Sequence, residues 1–337
     1  VFRPAALFRI LLGTAATAAF IWLLLRDVHL GEVARTLARA NPVFVPAILA
    51  VYLFRFWLRS LRWSALVSHL RRVEPIAALP RVVLSQGANL VLPFQLGYGV
   101  MIQISAERFR LSRSHLLGAE AIERLMDGIT FAAFLALAIP FLTIGDAFLG
   151  LAAFMVFGTA TGAVLAYVAS APVPPLPALR VARREGTAVG RILEGMAILH
   201  HPRQRAVVAA YSAAIWLTEG VLFWLTAAAL GIEASPMTYL FLVAAANIGA
   251  AIPIAQSGAG FLFVAQQALR SIGEDPEVAT AFVFALQGVL SLPFVVLGPL
   301  AAWWMRLRLS DLLPWRHPGP VANASESGVA PLGHGGL

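Results

Sequence analysis

The chain has 337 residues, 59% of them hydrophobic and 12% charged, whereas soluble domains are about a quarter charged. Lysine and cysteine are absent, so 25 arginines carry the basic charge behind the net +8, and disulfides, thiolate metal sites and cysteine nucleophiles are excluded. The arginines cluster at the ends of apolar runs, which is the pattern of a multi-pass membrane protein rather than of a nucleic-acid binder.

A membrane-spanning helix needs about 20 largely apolar residues. Six segments meet this requirement: 6–25, 43–63, 122–143, 147–170, 206–230 and 278–304. The first is read as an uncleaved span, because no small-residue cleavage site follows Leu25. Two further hydrophobic stretches, 76–104 and 236–270, are interrupted near their middles by glycine, proline and amide residues. With Arg3 and Arg9 placed in the cytoplasm, the second span returns the chain to that side near Arg62, Arg71 and Arg72. The connection after 104 is also basic (Arg108, Arg110, Arg113), as if 76–104 had entered and left from one side. The turns carrying Asp146 and Glu233 are then outside, and the basic 180–205 segment is inside. If 236–270 is re-entrant from the outside, the last span delivers Arg306 and Arg308 to the cytoplasm. Eight full crossings would instead put Arg108, Arg110 and Arg113 outside, against the charge bias.

The expected fold is therefore an all-α polytopic membrane protein of six full transmembrane helices and two re-entrant helical hairpins, eight hydrophobic segments forming a pseudo-inverted repeat. Residues 1–313 make up the membrane domain, and 171–205 form a proline-led linker with an interfacial basic helix (Arg180, Arg183, Arg184, Arg191) or a solvated loop. Residues 314–337 are a disordered cytoplasmic tail rich in Pro, Gly, Ser and Ala. A bacterial cell inner membrane is the expected location, with both termini cytoplasmic.

The two interrupted stretches resemble each other. The first contains Ala88-Asn89, then Pro93, Gln95, Gly97, Tyr98 and Gly99; the second contains Ala246-Asn247, then Pro253, Gln256, Ser257, Gly258 and Gly260. Both therefore run Ala-Asn, a short apolar stretch, proline, glutamine and Gly-x-Gly. Proline removes a backbone donor and breaks the helical ladder, and glycine permits the reversal. The freed backbone groups must face protein or a wet cavity, because each would cost several kcal/mol in lipid. Paired broken segments in corresponding halves point to a transporter binding site, and the bland reading is two kinked spans. The residues just named, from Asn89 to Gly260, are the candidate headgroup-binding set.

Ionisable residues form a second set. Glu120, Glu123, Arg124 and Asp127 share one helical face, where Arg124 can pair with Glu120 or Asp127 one turn away. Arg55, Arg59 and Arg62 form a stripe; the last two are placed to snorkel, while Arg55 lies deeper and needs a partner. Glu219 stands isolated near the middle of a span and is a functional candidate by default. It can pair with an arginine, carry a coupling proton, or stay protonated. The seven histidines fall in predicted loops, turns or the tail, and there is no metalloprotease, serine-hydrolase or nucleotide-binding motif. No cofactor, metal or enzymatic activity is expected, and an ATP-driven pump is excluded for this chain alone.

Asn89, Leu92-Pro93, Gly97, the Arg108–Arg110 turn, Leu111-Ser112-Arg113-Ser114 and Glu123-Arg124-Leu-Met-Asp127 together resemble the membrane domain of lysylphosphatidylglycerol synthases, which also occurs alone in flippase-like proteins. Ser257-Gly258-Ala-Gly260-Phe261 is similar to the family's Pro-Gly-Gly-x-Gly element, and the resemblance covers about residues 5–308. It implies an integral membrane protein that moves or binds a phospholipid or isoprenoid lipid. No aminoacyl transferase domain follows Arg308, so lysyl transfer is not expected. The family's first hairpin commonly has a basic residue and then Gly-Glu; here Gln95-Leu-Gly97-Tyr98 lacks that glutamate, which removes a charge from the expected cavity.

The expected function is thus a lipid transporter or flippase holding a headgroup between the two broken segments, with Arg55 or Arg124 neutralising a phosphate. Alternatives are an intramembrane transferase using Glu123, Asp127 or Glu219 as base, or a non-transporting subunit of a lipid biosynthetic complex. The expected partners are a membrane lipid, together with a second copy of the chain or a lipid-biosynthetic enzyme.

Overall fold

The structure, a computed structural model, describes residues 4–91, 96–172, 187–250 and 258–306. Pro93, Gln95, Pro253, Gln256, Ser257, the linker arginines Arg180, Arg183 and Arg184, and the tail 314–337 lie outside the described residues. All regular structure among the described residues is helical. The helices are α1 (Pro4–Leu25), α2 (Leu30–Ala38), α3 (Val45–Val67), α4 (Pro75–Val91), α5 (Leu96–Phe109), α6 (Arg113–Ala138) and α7 (Asp146–Ser170), then α8 (Ala188–Gly195), α9 (Pro202–Ala229), α10 (Pro236–Ala250), α11 (Ala259–Ser271), α12 (Pro276–Ser291) and α13 (Phe294–Trp304).

Five helical runs are long and apolar enough to cross a membrane: Pro42–Val67, Arg113–Phe141, Phe148–Ser170, Pro202–Ala229 and Pro276–Trp304. Each matches a predicted span, and within α1 Thr14–Leu25 is a shorter apolar helix. The largest boundary difference is in α6, which begins at Arg113, before the predicted 122. Ser112 caps it by accepting a hydrogen bond from the His115 amide at 3.1 Å. The charged turn 120–127 is therefore helix interior rather than helix start. On α7, Phe154 and Phe157 are 73% and 78% exposed, an apolar outer surface suited to lipid rather than water.

The broken stretches appear as helix pairs. α4 and α5 have 17 and 14 residues, so they reach only about 25 and 21 Å at ~1.5 Å per residue, short of a ~30 Å hydrocarbon core. They pack antiparallel: Arg81 meets Ser105 at 3.2 Å, and nearer the break Gly97 lies against Ala88 and Asn89. α10 and α11, of 15 and 13 residues, pack likewise across the second break, where Gly249 abuts Gly260 and Val264. Gly258 opens α11 at φ +76°, a left-handed conformation that glycine adopts without a Cβ clash.

α3, α6 and α9 contact one another at the centre. As numbering rises along α3 it falls along α9: the Asn41 amide bonds Ala229, Arg55 meets Glu219, Arg59 lies on Trp216, and Arg62 reaches Ser212. These spans are therefore antiparallel. Each leads into a helix pair and then another span, and the contacts correspond: α4 packs on α3 and α13, and α10 packs on α9 and α6. The α4–α5 pair starts and finishes at one end of the bundle, where Arg71 donates to the Phe109 carbonyl at 2.8 Å. That end also carries Arg72, Arg108, Arg110 and Arg113, with Arg203 and Arg205 opening α9. Of the linker, Ala188–Gly195 packs on α6 with backbone close to backbone: a Cβ on Gly118 or Gly195 would collide with the Ile192 or His115 carbonyl. His115 and Glu194 close this contact at 2.8 Å.

At the opposite end, His29 binds Glu277 at 3.0 Å and joins the α1–α2 turn to the start of α12. The hydrogen bond that the His29 ring donates to Glu277 raises the His29 pKa above its usual value. This contribution is complete below the ordinary histidine range and is lost as pH rises through the raised pKa. Amides of α2 are expected to lose hydrogen-exchange protection above that pH, after correction for intrinsic rates, and His29→Gln should remove the pH dependence. An α2 whose protection follows the same pH course in both proteins would show that the pair does not hold it.

Candidate functional site

The three arginines of α3 lie at spacings of four and three, so they share the face turned to α9 and α6. All are buried, with Arg62 0% exposed. Arg59 and Arg62 therefore do not snorkel to an interface. They are enclosed because α6 and α9 present carboxylates to that face.

Arg62 is the hub. It donates to Asp127 Oδ1, to Glu123 Oε1 at 2.5 Å and to Ser212 Oγ at 3.0 Å. Asp127 Oδ1 also accepts the Trp216 indole N–H at 2.7 Å, and Arg59 stacks over that indole at 5.0 Å. Deeper along α3, Arg55 donates to Glu219 Oε2, whose other oxygen accepts from Asn247 at 3.2 Å. In the other direction, Glu120 takes Arg124 at 3.2 Å and Arg81 at 3.4 Å. Arg81 lies over Trp63 at 4.6 Å, and Arg124 lies over Tyr98 at 4.0 Å. Desolvating each ion costs several kcal/mol, so such charges persist only when paired and hydrogen-bonded.

The network reaches both broken segments, through Tyr98 on α5 and Asn247 on α10. A model described as the lysylphosphatidylglycerol synthase TM region matches residues 10–298. The chain belongs to this family. No curated protein and no solved structure matches it. Membership makes it a multi-pass membrane protein of a lipid-handling family.

Within this lysylphosphatidylglycerol synthase TM region, the Glu123-Arg124-x-x-Asp127 element now has a physical account. Glu123 and Asp127, four apart, clasp Arg62, whereas Arg124 turns to Glu120 and Tyr98. Of the two arginines expected to meet a phosphate, Arg55 is occupied by Glu219 and Arg124 by Glu120. The ionisable candidates Arg55, Glu120, Glu123, Arg124, Asp127 and Glu219 all join one network. Among the glycines, a Cβ on Gly97 would stand 2.5 Å from Asn89 Oδ1, whereas Gly99 has open space around it. Asn89 keeps both amide atoms buried without a hydrogen-bond partner. Sequence reasoning missed Arg81, Ser105 and Ser212. Arg81 had a signal, being the only arginine within the apolar stretch 76–104; the serines had none.

Proposed function

We propose that this protein is a lipid transporter of the flippase type, which holds the headgroup of a phospholipid or isoprenoid lipid between two re-entrant hairpins while the chains stay in the bilayer. One observation carries the reading: a buried charge network centred on α3, α6 and α9 reaches both broken segments, through Arg81 and Tyr98 in the first and Asn247 in the second. The antiparallel run of α3 and α9 and their matched helix pairs fit an inverted repeat, the frame on which alternating access rests. The α4–α5 pair returning to its own end, marked by Arg71, Arg72, Arg108, Arg110 and Arg113, fits re-entry from the cytoplasm. A transferase reading would need a free base. Glu123, Asp127 and Glu219 are each held by an arginine instead, which favours transport.

The test is reconstitution into liposomes with labelled phospholipids and polyprenyl phosphates. Faster transbilayer movement of one of these lipids is expected. Glu219→Gln should slow it by roughly tenfold or more, equivalent to ~1.4 kcal/mol on the barrier. No acceleration with any lipid class would sink the proposal, and a stoichiometric enzyme partner co-purifying in that case would favour a scaffolding role.

A further inference from the structure

The turn between α5 and α6 holds a residue in an uncommon conformation. Arg110 follows the last residue of α5 at φ +49°, and the Leu111 amide bonds the Ala106 carbonyl at 3.1 Å. This closes a Schellman turn, whose left-handed residue is most often glycine and sometimes asparagine. Any side chain there meets a Cβ clash that glycine avoids. Among the described residues the other non-glycine residue at positive φ is also an arginine, Arg306, just past the end of α13. A basic residue near a helix C-terminus complements the helix dipole, but that does not require the strained position itself. A long cation kept where glycine would fit without strain points to a use for its side chain.

Arg110 belongs to a patch. The neighbouring Phe109 carbonyl accepts from Arg71 at 2.8 Å, and the Phe109 ring packs on Trp63 with centroids 5.3 Å apart. The α3–α4 and α5–α6 connections therefore lie side by side. Together they carry five exposed arginines, Arg71, Arg72, Arg108, Arg110 and Arg113, against two carboxylates, Glu74 and Glu107. Glu107 accepts from Gln103, and among the described residues none of the five arginines forms an ion pair. The patch sits at the ends of two spans: Pro42–Val67 stops shortly before Arg71, and Arg113–Phe141 starts at Arg113. That is the level of the lipid headgroups. Unpaired cations at this level are complementary to an anionic leaflet, and the guanidinium fork matches phosphate oxygens.

We propose that these five arginines form a docking surface for the headgroups of anionic phospholipids in the adjoining leaflet. The proposal goes beyond the transport reading and does not rest on it, because the patch lies at the end of the bundle rather than in the buried network. It accounts for the strain at Arg110: the turn holds a cation at the membrane surface instead of the glycine that the backbone prefers.

The test uses the full chain in neutral detergent micelles doped with equal parts of phosphatidylglycerol and phosphatidylcholine, and counts the retained lipids by native mass spectrometry. Wild type is expected to retain phosphatidylglycerol preferentially, with a preference that shrinks as salt is raised. Arg110→Gly should cut the preference by roughly fivefold, the contribution of one arginine at an anionic surface. In phosphatidylcholine alone the same variant should melt at or above the wild-type Tm, because glycine relieves the left-handed backbone. Arg39→Gln, an exposed arginine after α2 at the opposite end of the bundle, should leave the preference unchanged. An Arg110→Gly protein with the wild-type preference, or one that loses no more than Arg39→Gln does, would overturn the proposal. So would an Arg110→Gly protein that melts well below wild type in phosphatidylcholine, since the side chain would then serve the turn itself. Binding of poly-glutamate that Arg110→Gly weakens, with no preference for phosphatidylglycerol, would assign the patch to an acidic protein and overturn the lipid. Lipid movement in liposomes is a separate readout, so a failure of transport and a failure of this surface are told apart.

Discussion

Arg62→Met is expected to lower the unfolding free energy by about 3–5 kcal/mol, the cost of removing one partner from a buried ionic group. Arg62 is fully enclosed and satisfies Asp127, Glu123 and Ser212 together. Its loss leaves two carboxylates facing each other on one side of α6, away from water. The penalty comes from the stranded partners rather than from the arginine. The triple variant Arg62→Met, Glu123→Gln, Asp127→Asn should therefore recover most of the loss. Unfolding titrations of detergent-solubilised protein would measure both steps. A triple variant as unstable as the single one would mean that Arg62 acts through packing alone.

The second large effect is expected at the α10–α11 contact. A Cβ on Gly249 would collide with the Gly260 carbonyl and stand 2.8 Å from Val264, so Gly249→Ala must force the two helices apart. Overpacking of this kind costs typically 1–3 kcal/mol, and the contact has the small-residue character of close helix packing in membranes. Asn247, which links the second broken segment to the charge network, lies two residues away. Gly249→Ala is therefore expected to lower Tm and also to reduce lipid movement. Gly220→Ala is the matched control: its nearest neighbour is Val243 at 3.9 Å, and it sits inside α9 beside Glu219. There the substitution should be neutral or stabilising by about 0.5–1 kcal/mol through helix propensity. Equal effects at the two glycines would show that the α10–α11 approach is not what constrains this region.

Much of this architecture was legible in the residues. Apolar runs of bilayer length marked five spans, because a helix crossing lipid must satisfy its own backbone and present apolar side chains for about 20 residues. The charged face of α6 was also legible, because Glu120, Glu123, Arg124 and Asp127 recur at helical spacing. The match between the two broken segments was visible for the same local reason: proline, glycine and asparagine act on the backbone where they stand. The start of α6 was missed, because a hydropathy window begins where charges end, whereas the helix begins at the Ser112 cap.

Local residue patterns are enough to specify a helical membrane protein with two interrupted segments and a few costly charges within the apolar runs. Which charges meet is set by how the helices pack. Glu219 is 164 residues from Arg55 and Asp127 is 65 from Arg62, and nothing local encodes such pairings. They depend on α3 running antiparallel to α9 with α6 beside both, which follows from packing all three helices at once. The same packing leaves Arg59 stacked on Trp216 and 3.8 Å from Glu219, without a hydrogen bond to a carboxylate, although its spacing from Arg55 and Arg62 is as regular as that of its hydrogen-bonded neighbours. Helical periodicity fixes the face on which a charge lies, and the neighbouring helix decides whether that charge is satisfied.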